Sequence, residues 1–283
     1  MLWSTWGIAV KFLEINEYYV IFYTSLFTLP FLTLYNGLRR PRDCFQSLKR
    51  GFLVLALLAL SLLLNNYFYF AAFNRTTIAI SVFTHYTAPL FVVLLAPLLL
   101  AESFEKRLIF PLGIASFGLA AVLFPDFCAA TAQPLQLGGA LFGLASGVAY
   151  AFTLIFAKKL AARLPTLDLI LWQSFFMVMF LLPFFSQVRA PMPSRPAVWL
   201  LLLLLSLSHC ILAPFLYLDG LRGIKAQHAA IIGYLEPLAA VSLGLVINHE
   251  RPSGWIWVGG SAIILSGALT ASRSGRQKVK VKS

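Results

Sequence analysis

Four residues of this chain, Tyr69, Tyr86, Pro89 and Glu102, return 148 positions later as Tyr217, Tyr234, Pro237 and Glu250. The chain is therefore one unit written twice, and its fold must accommodate two copies of one topology. The second copy holds the most constraining stretch, 226–250, AQHAAIIGYLEPLAAVSLGLVINHE. Its mostly apolar run of about 20 residues is long enough to cross the roughly 30 Å hydrocarbon core of a bilayer as a helix. Midway it carries Glu236-Pro237. A charge near the bilayer centre costs at least about 2.5 kcal/mol and normally faces a cavity or a partner. The proline lacks an N–H and kinks the span.

Of the 283 residues, 60% are hydrophobic and only 11% charged. Soluble globular domains carry about a quarter charged residues, so the chain reads as an all-α polytopic membrane protein. Segments near 20 residues exclude a barrel, whose strands need about 10. A formal charge of +12 would suit nucleic acid, but the basic residues cluster between apolar spans, where they act as topology signals. Cys44, Cys128 and Cys210 show no paired or metal-binding spacing. No cleavable signal is visible at the start.

Nine full spans are expected at about 18–38, 52–73, 77–100, 108–125, 137–157, 167–187, 198–218, 226–248 and 254–272. A tenth, Met1 to Leu13, would rise only about 20 Å as a helix. Lys11 aligns with Lys159 and Met1 with Ala149, midway through the span that opens the second copy. The expectation is that the first helix lacks its N-terminal half, through a start assigned too far downstream. The copies are then 1–125 and 137–272, followed by a basic, disordered tail at 273–283.

Orientation follows from the Lys and Arg pattern. Arg39, Arg40, Arg42, Lys49, Arg50, Lys106, Arg107, Lys158, Lys159, Arg163, Arg222, Lys225 and the tail fall on one side. Only Arg75, Arg189, Arg195 and Arg251 fall on the other. Both ends are expected in the cytoplasm. Five spans per copy is an odd number, so the second copy should be inverted relative to the first. Inverted repeats are the usual build of secondary transporters, whose substrate site lies near midplane where the halves meet.

Polar residues at helical spacing mark candidate lining faces. They are Ser61, Asn65, Tyr69 with Asn66; Thr77, Ser81, Thr84, His85; Ser206, His209, Ala213, Tyr217; and Gln227, Tyr234, Glu236. Together they would line a polar cavity between the third, fourth, eighth and ninth spans. The competing reading is bonding within or between helices. Glu236 could bind an amine or carry a proton, with His85 as its partner if the two kinked helices cross. Its competing role is a structural bond to backbone freed by Pro237. Tyr69, Tyr86, Tyr150, Tyr217, Tyr234, Trp6 and Trp172-Gln173 could form an aromatic lining suited to amines, although membrane aromatics more often pack or sit at the interface. Glu102 and Glu250, at span ends, read as anchoring or gating residues. Gly139, Gly143 and Gly147 would let one span press closely on a neighbour. No HExxH, GxSxG or phosphate loop is present, so no catalytic role and no metal or cofactor is expected.

The stretches HYTAPLFVVLLAPLLLAES (85–103) and AAIIGYLEPLAAVSLGLVINHERPSGWIWVGGSAIILSGALTA (229–271) resemble the EamA-type branch of the drug/metabolite transporter superfamily. Each pairs a proline-centred helix with a terminal Glu, and in the second a closing helix rich in small residues follows. The resemblance covers essentially the whole chain. It implies a ten-helix, inverted 5+5 fold in the inner membrane of a bacterium or archaeon. It also implies export or exchange of small metabolites, often amino acids, by alternating access. In relatives the first helix lines the cavity, and here it is short. Phosphate-carrying relatives need basic residues within spans, and Lys11 alone would serve. Expected partners are a small-molecule substrate, optionally protons, the lipid bilayer and, as one option, a second copy in a homodimer. The alternatives are a non-transporting assembly partner or sensor of the same fold, or a drug- or lipid-type efflux carrier.

Overall fold

The computed structural model describes residues 2–5, 13, 15–39, 41–125, 128, 137–187, 192–248 and 254–282. Among these there is no strand. The helices are α1 (Glu17–Arg39), α2 (Pro41–Phe73), α3 (Ile78–His85), α4 (Ala88–Leu100), α5 (Ile109–Val122), α6 (Leu137–Ala161), α7 (Thr166–Leu181), α8 (Pro196–Leu205), α9 (Ala213–Arg222), α10 (Ala226–Ile232), α11 (Leu235–Asn248) and α12 (Gly254–Lys282). Tight 3₁₀ turns cover Leu2–Thr5, Lys106–Leu108 and Leu182–Gln187, and a π-helical stretch, Ser206–Leu212, joins α8 to α9.

Seven helical segments among the described residues are long and apolar enough to cross a membrane. Their outward side chains are correspondingly greasy: Leu38, Leu53, Ile78, Leu98 and Trp257 are all more than two-thirds exposed. A soluble protein could not leave such surfaces bare, whereas lipid covers them at no cost. The chain is a multi-pass membrane protein.

Differences from the expected spans have local causes. The 77–100 span is two helices, broken at Tyr86-Thr87, and the 226–248 span is two, broken at Gly233-Tyr234. The 108–125 span is a short α5 entered through a 3₁₀ turn. The tail does not leave the helix: α12 runs to Lys282, and no proline follows Pro252 to stop it.

The described chain forms two compact units, each drawing on both copies of the repeat. One comprises 61–155 and 224–283, the other 2–60 and 156–223. In the first, α5 crosses α12 backbone to backbone. A Cβ on Gly118 would stand 2.8 Å from the Gly259 carbonyl oxygen and 2.9 Å from Ile263 Cγ1. Small residues at a crossing allow this approach, and dispersion rather than water exclusion then holds the helices in lipid. Around the crossing, Leu112, Ala115, Leu119, Ile231, Tyr234 and Ile263 form one buried cluster. Ser266 Oγ donates to the Pro111 carbonyl at 2.6 Å. The glycine stripe of α6 meets α3: a Cβ on Gly147 would stand 2.7 Å from the His85 carbonyl, and one on Gly143 would strike Thr84.

In the second unit α1 packs on α7 and on the π-helical stretch. Tyr18, Tyr19, Phe22 and Tyr23 of α1 surround Phe185, and Trp199 stands edge-on to Tyr23. Asp168 of α7 accepts from Ser47 of α2 at 2.6 Å. Arg222 donates to the Ala161 and Leu164 carbonyls at 2.8 and 2.7 Å, satisfying acceptors that the end of α6 leaves open.

Candidate functional site

The two helix breaks carry the chemistry. Pro89 and Pro237 cannot donate backbone bonds, and each ring excludes the carbonyl four residues earlier. The break therefore forms ahead of the proline. In the first, Thr87 N–H turns back to Thr84 and Leu90 N–H to Thr87, so the Tyr86 carbonyl is left outside the helical ladder. In the second, Tyr234 N–H turns back to Ile231 and Glu236 N–H to Gly233. Tyr234 Oη donates to the Tyr86 carbonyl at 2.9 Å. With its own proton so used, Tyr234 Oη accepts from Ser116 Oγ at 3.0 Å. A side chain at one break thus satisfies backbone freed at the other.

Beside this link stands an aromatic group. The His85 ring lies over Tyr69, centroids 4.3 Å apart, with Tyr86 and Tyr150 edge-on at 5.2 and 5.4 Å. His85 Nδ1 is 2.9 Å from Ser146 Oγ, whose proton goes to the Gly143 carbonyl at 2.7 Å. Ser146 Oγ is therefore the acceptor, and the neutral ring holds its proton on Nδ1 with the lone pair on Nε2. The Glu236 carboxylate lies close enough to act electrostatically on the Tyr69 and Tyr86 hydroxyls. Asn65 donates to Asn66 Oδ1 at 3.4 Å. Two buried acceptors, Asn65 Oδ1 and Ser81 Oγ, find no hydrogen-bond partner among the described residues. Such atoms are rare in folded proteins and ask for a ligand or a water.

One unit thus contains Glu236, Tyr234, His85, Tyr86, Asn65, Asn66, Tyr69 and Ser81. Other candidates have different settings. His209 and Tyr217 belong to the other unit, where Trp3 donates to the His209 carbonyl at 3.1 Å and meets the Tyr217 ring at 5.2 Å. Trp172 is buried there, donating to the Cys44 carbonyl at 3.0 Å and packing against Phe45 and Phe175. Gln173 beside it is half-buried. Thr77 caps α3, and Thr84 bonds back to the Ile80 carbonyl at 2.7 Å. Gln227 bridges to Ser103 and Glu105 rather than to Glu236. Glu102 accepts from Ala226 N–H with both oxygens, at 3.0 and 3.1 Å, and so caps α10. Trp6, Lys11 and Glu250 lie outside the described residues. Sequence reasoning missed Ser116 and Ser146. Ser146 sits between Gly143 and Gly147, and that placement against a close neighbour was its one signal.

The EamA-like transporter family matches residues 1–124 and 137–272. An uncharacterized transporter, YxxF, of Bacillus subtilis (strain 168) is 26% identical over 82% of this chain and 71% of its own length. An uncharacterized transporter of Archaeoglobus fulgidus is 27% identical over 72% of this chain and 71% of its own. An uncharacterized inner membrane transporter, YicL, of Salmonella typhimurium is 27% identical over 53% of this chain and half of its own. A solved crystal structure is similar with a TM-score of 0.79 at 18% identity, covering 98% of this chain and 94% of its own, which shows the fold. The family match extends over both copies of the repeat, and the chain belongs to the EamA-like transporter family.

Proposed function

We propose that this protein is a secondary transporter that exports or exchanges small metabolites, amino acids or related amines, by alternating access. Its ten helices form an inverted 5+5 repeat in the cell membrane, with both termini cytoplasmic. The observation that carries the reading is the pair of helix breaks at equivalent positions of the two copies. Discontinuous helices in corresponding positions are the hallmark of a midplane binding site, because they expose backbone polar groups and dipole ends there.

In this reading Glu236 binds the ammonium group of the substrate or a proton. Tyr69, Tyr86 and Tyr234 offer ring faces to a cation or a planar group. His85 Nε2, Asn65 Oδ1 and Ser81 Oγ accept hydrogen bonds from the substrate. The site favours a donor-rich, cationic head over a phosphate, for which it supplies no positive side chain among those named.

A thermal-shift screen of purified protein against amino acids, polyamines, nucleosides, sugar phosphates and cationic drugs tests this. A ligand at 100 times its Kd adds about 2.7 kcal/mol to the folded state. The expected result is a shift by amino acids or amines that is lost in Glu236→Gln, while the variant unfolds cooperatively without ligand. A shift confined to sugar phosphates, or an amine shift unchanged in Glu236→Gln, overturns the assignment.

A further inference from the structure

A polar clasp joins the end of α4 to the start of α10, one helix from each copy of the repeat. The chain leaves α4 through Ala101, whose φ of 54° lies in the left-handed region that L side chains rarely adopt. Residues 102–105 then lie against 225–228. Glu102 accepts from Ala226 N–H, while Lys225 Nζ donates to Ser103 Oγ at 2.7 Å and pairs with Glu105 Oε1. Gln227 Nε2 donates to the Ser103 carbonyl at 3.0 Å, and Gln227 Oε1 accepts from Glu105 N–H at 3.3 Å.

Two opposed effects meet in this clasp. The ion pair favours closure. Lys225 and Glu105 keep only 25% and 15% of their side chains exposed, where a charge-assisted bond is worth more than at an open surface. His228, fully buried beside the pair, opposes it. Among the described residues no hydrogen bond reaches either ring nitrogen, and Nε2 stands 3.5 Å from Glu105 Oε2. In either protonation state the ring keeps polar atoms dry and unbonded, a cost that water would relieve. A dry apolar plug is packed from the same helices: Val92 and Ala96 of α4, Ala151 and Leu154 of α6, Ala226 and Ala230 of α10.

The residue types of the clasp are not repeated in the other copy. Positions 225–228 correspond there to Thr77, Ile78, Ala79 and Ile80. The Thr77 hydroxyl is turned back on its own helix, accepting from Ile80 N–H at 3.3 Å. After Glu250 the chain reads Arg251-Pro252-Ser253, without an acid to match Glu105. The polar set thus belongs to one end of the paired broken helices. Lys106 and Arg107 follow it directly, on the side that the basic residues assign to the cytoplasm.

We propose that the clasp of residues 102–105 on 225–228 is a gate at the cytoplasmic end, with the Lys225–Glu105 pair as its latch and His228 as the load that lets it open. Opening separates the two segments and admits water from the cytoplasm to His228 and to the plug. The proposal rests on the transport reading, because a gate serves only a protein that passes something through. To that reading it adds the residues that hold one face shut and the residue that works against them.

Thiol labelling of the full chain in vesicles of known orientation tests it without any substrate. Cys44, Cys128 and Cys210 are replaced, and Ala230→Cys places a buried reporter in the plug. A membrane-impermeant maleimide is then added at one face at a time. Glu105→Gln and Lys225→Met should each raise the labelling rate from the cytoplasmic face by about tenfold, the lower end for losing a hydrogen bond to a charged group. The rate from the outer face should stay as it was. Glu105→Lys combined with Lys225→Glu should restore the parent rate. His228→Leu should act in the opposite sense and label more slowly than the parent. Where an ion-pair variant does not insert, Ser103→Ala, which removes one acceptor of Lys225, should still raise the cytoplasmic rate. Unchanged labelling in these variants, a rise from both faces, no reversal on charge exchange, or faster labelling in His228→Leu overturns the gate. Each of those failures leaves the transport proposal standing, because that proposal is read from substrate shifts.

Discussion

Tyr234 donates its hydroxyl proton to the carbonyl of Tyr86, the residue 148 positions earlier that holds the same place in the other copy of the repeat. The bond joins the two broken helices at their breaks. Tyr234 is nearly fully buried, so no water competes for it. Tyr234→Phe should lower stability by about 1–3 kcal/mol, the usual range when a buried polar group loses its partner. Thermal unfolding in detergent measures it. An unchanged midpoint would mean that the Tyr86 carbonyl has another donor.

The crossing of α5 and α12 gives a sharper steric test. Gly118→Leu and Gly259→Leu each place a side chain against the facing backbone, and overpacking of this kind costs about 1–3 kcal/mol or more. Gly113, on the same helix, has nothing within 4 Å of its Cβ position. Gly113→Ala should leave stability unchanged or raise it by up to about 1 kcal/mol. Equal losses at Gly113 and Gly118 would sink the packing assignment.

Asn65 Oδ1 and Ser81 Oγ lead to an opposed pair of effects. Removing a buried group that has no partner relieves a desolvation cost of about 1–3 kcal/mol. Ser81→Ala should therefore raise the unfolding midpoint of the empty protein while reducing the shift caused by an amine ligand. Both measurements come from one melting series. A variant that loses stability would show that the hydroxyl is bonded in the empty protein.

Glu102 reaches from beyond α4 to the first N–H of α10. Caps of this kind are worth about 0.5–2 kcal/mol. Glu102→Ala should cost that much, and Glu102→Gln, which keeps an acceptor, should cost less. Hydrogen exchange at Ala226 is the direct readout: its protection should fall in the alanine variant.

Hydropathy was enough to read an all-helical multi-pass chain, because lipid imposes length and polarity on every helix alike, and seven segments among the described residues are long and apolar enough to cross a membrane. The prolines announced the two breaks, but not their positions. Sequence pointed to Pro89 and Pro237 themselves, whereas the chain breaks two to four residues earlier, where the carbonyls that the rings displace must find other donors. The stripe from Ser206 to Tyr217 was read at a period of 3.6. The π turn changes that period, and only Pro214 hinted at it. Thr5 and Trp3 escaped notice because a short first segment was read as part of a helix. The contacts of Trp3 and Thr5 with His209 join residues some two hundred positions apart, and no local pattern encodes them.

The division of the chain into two units, each drawn from both copies of the repeat, has a consequence for biogenesis. Helix α1 emerges from the ribosome long before α7, its principal partner, has been translated. It must wait in the bilayer with its aromatic and threonine face unpaired. The other unit closes only when α12, which follows every other described helix in the chain, reaches α5. A nascent chain arrested after residue 125 would hold inserted helices but neither finished unit. For this protein, insertion and assembly are separate events, and the interval between them is when quality-control proteases and chaperones would find it.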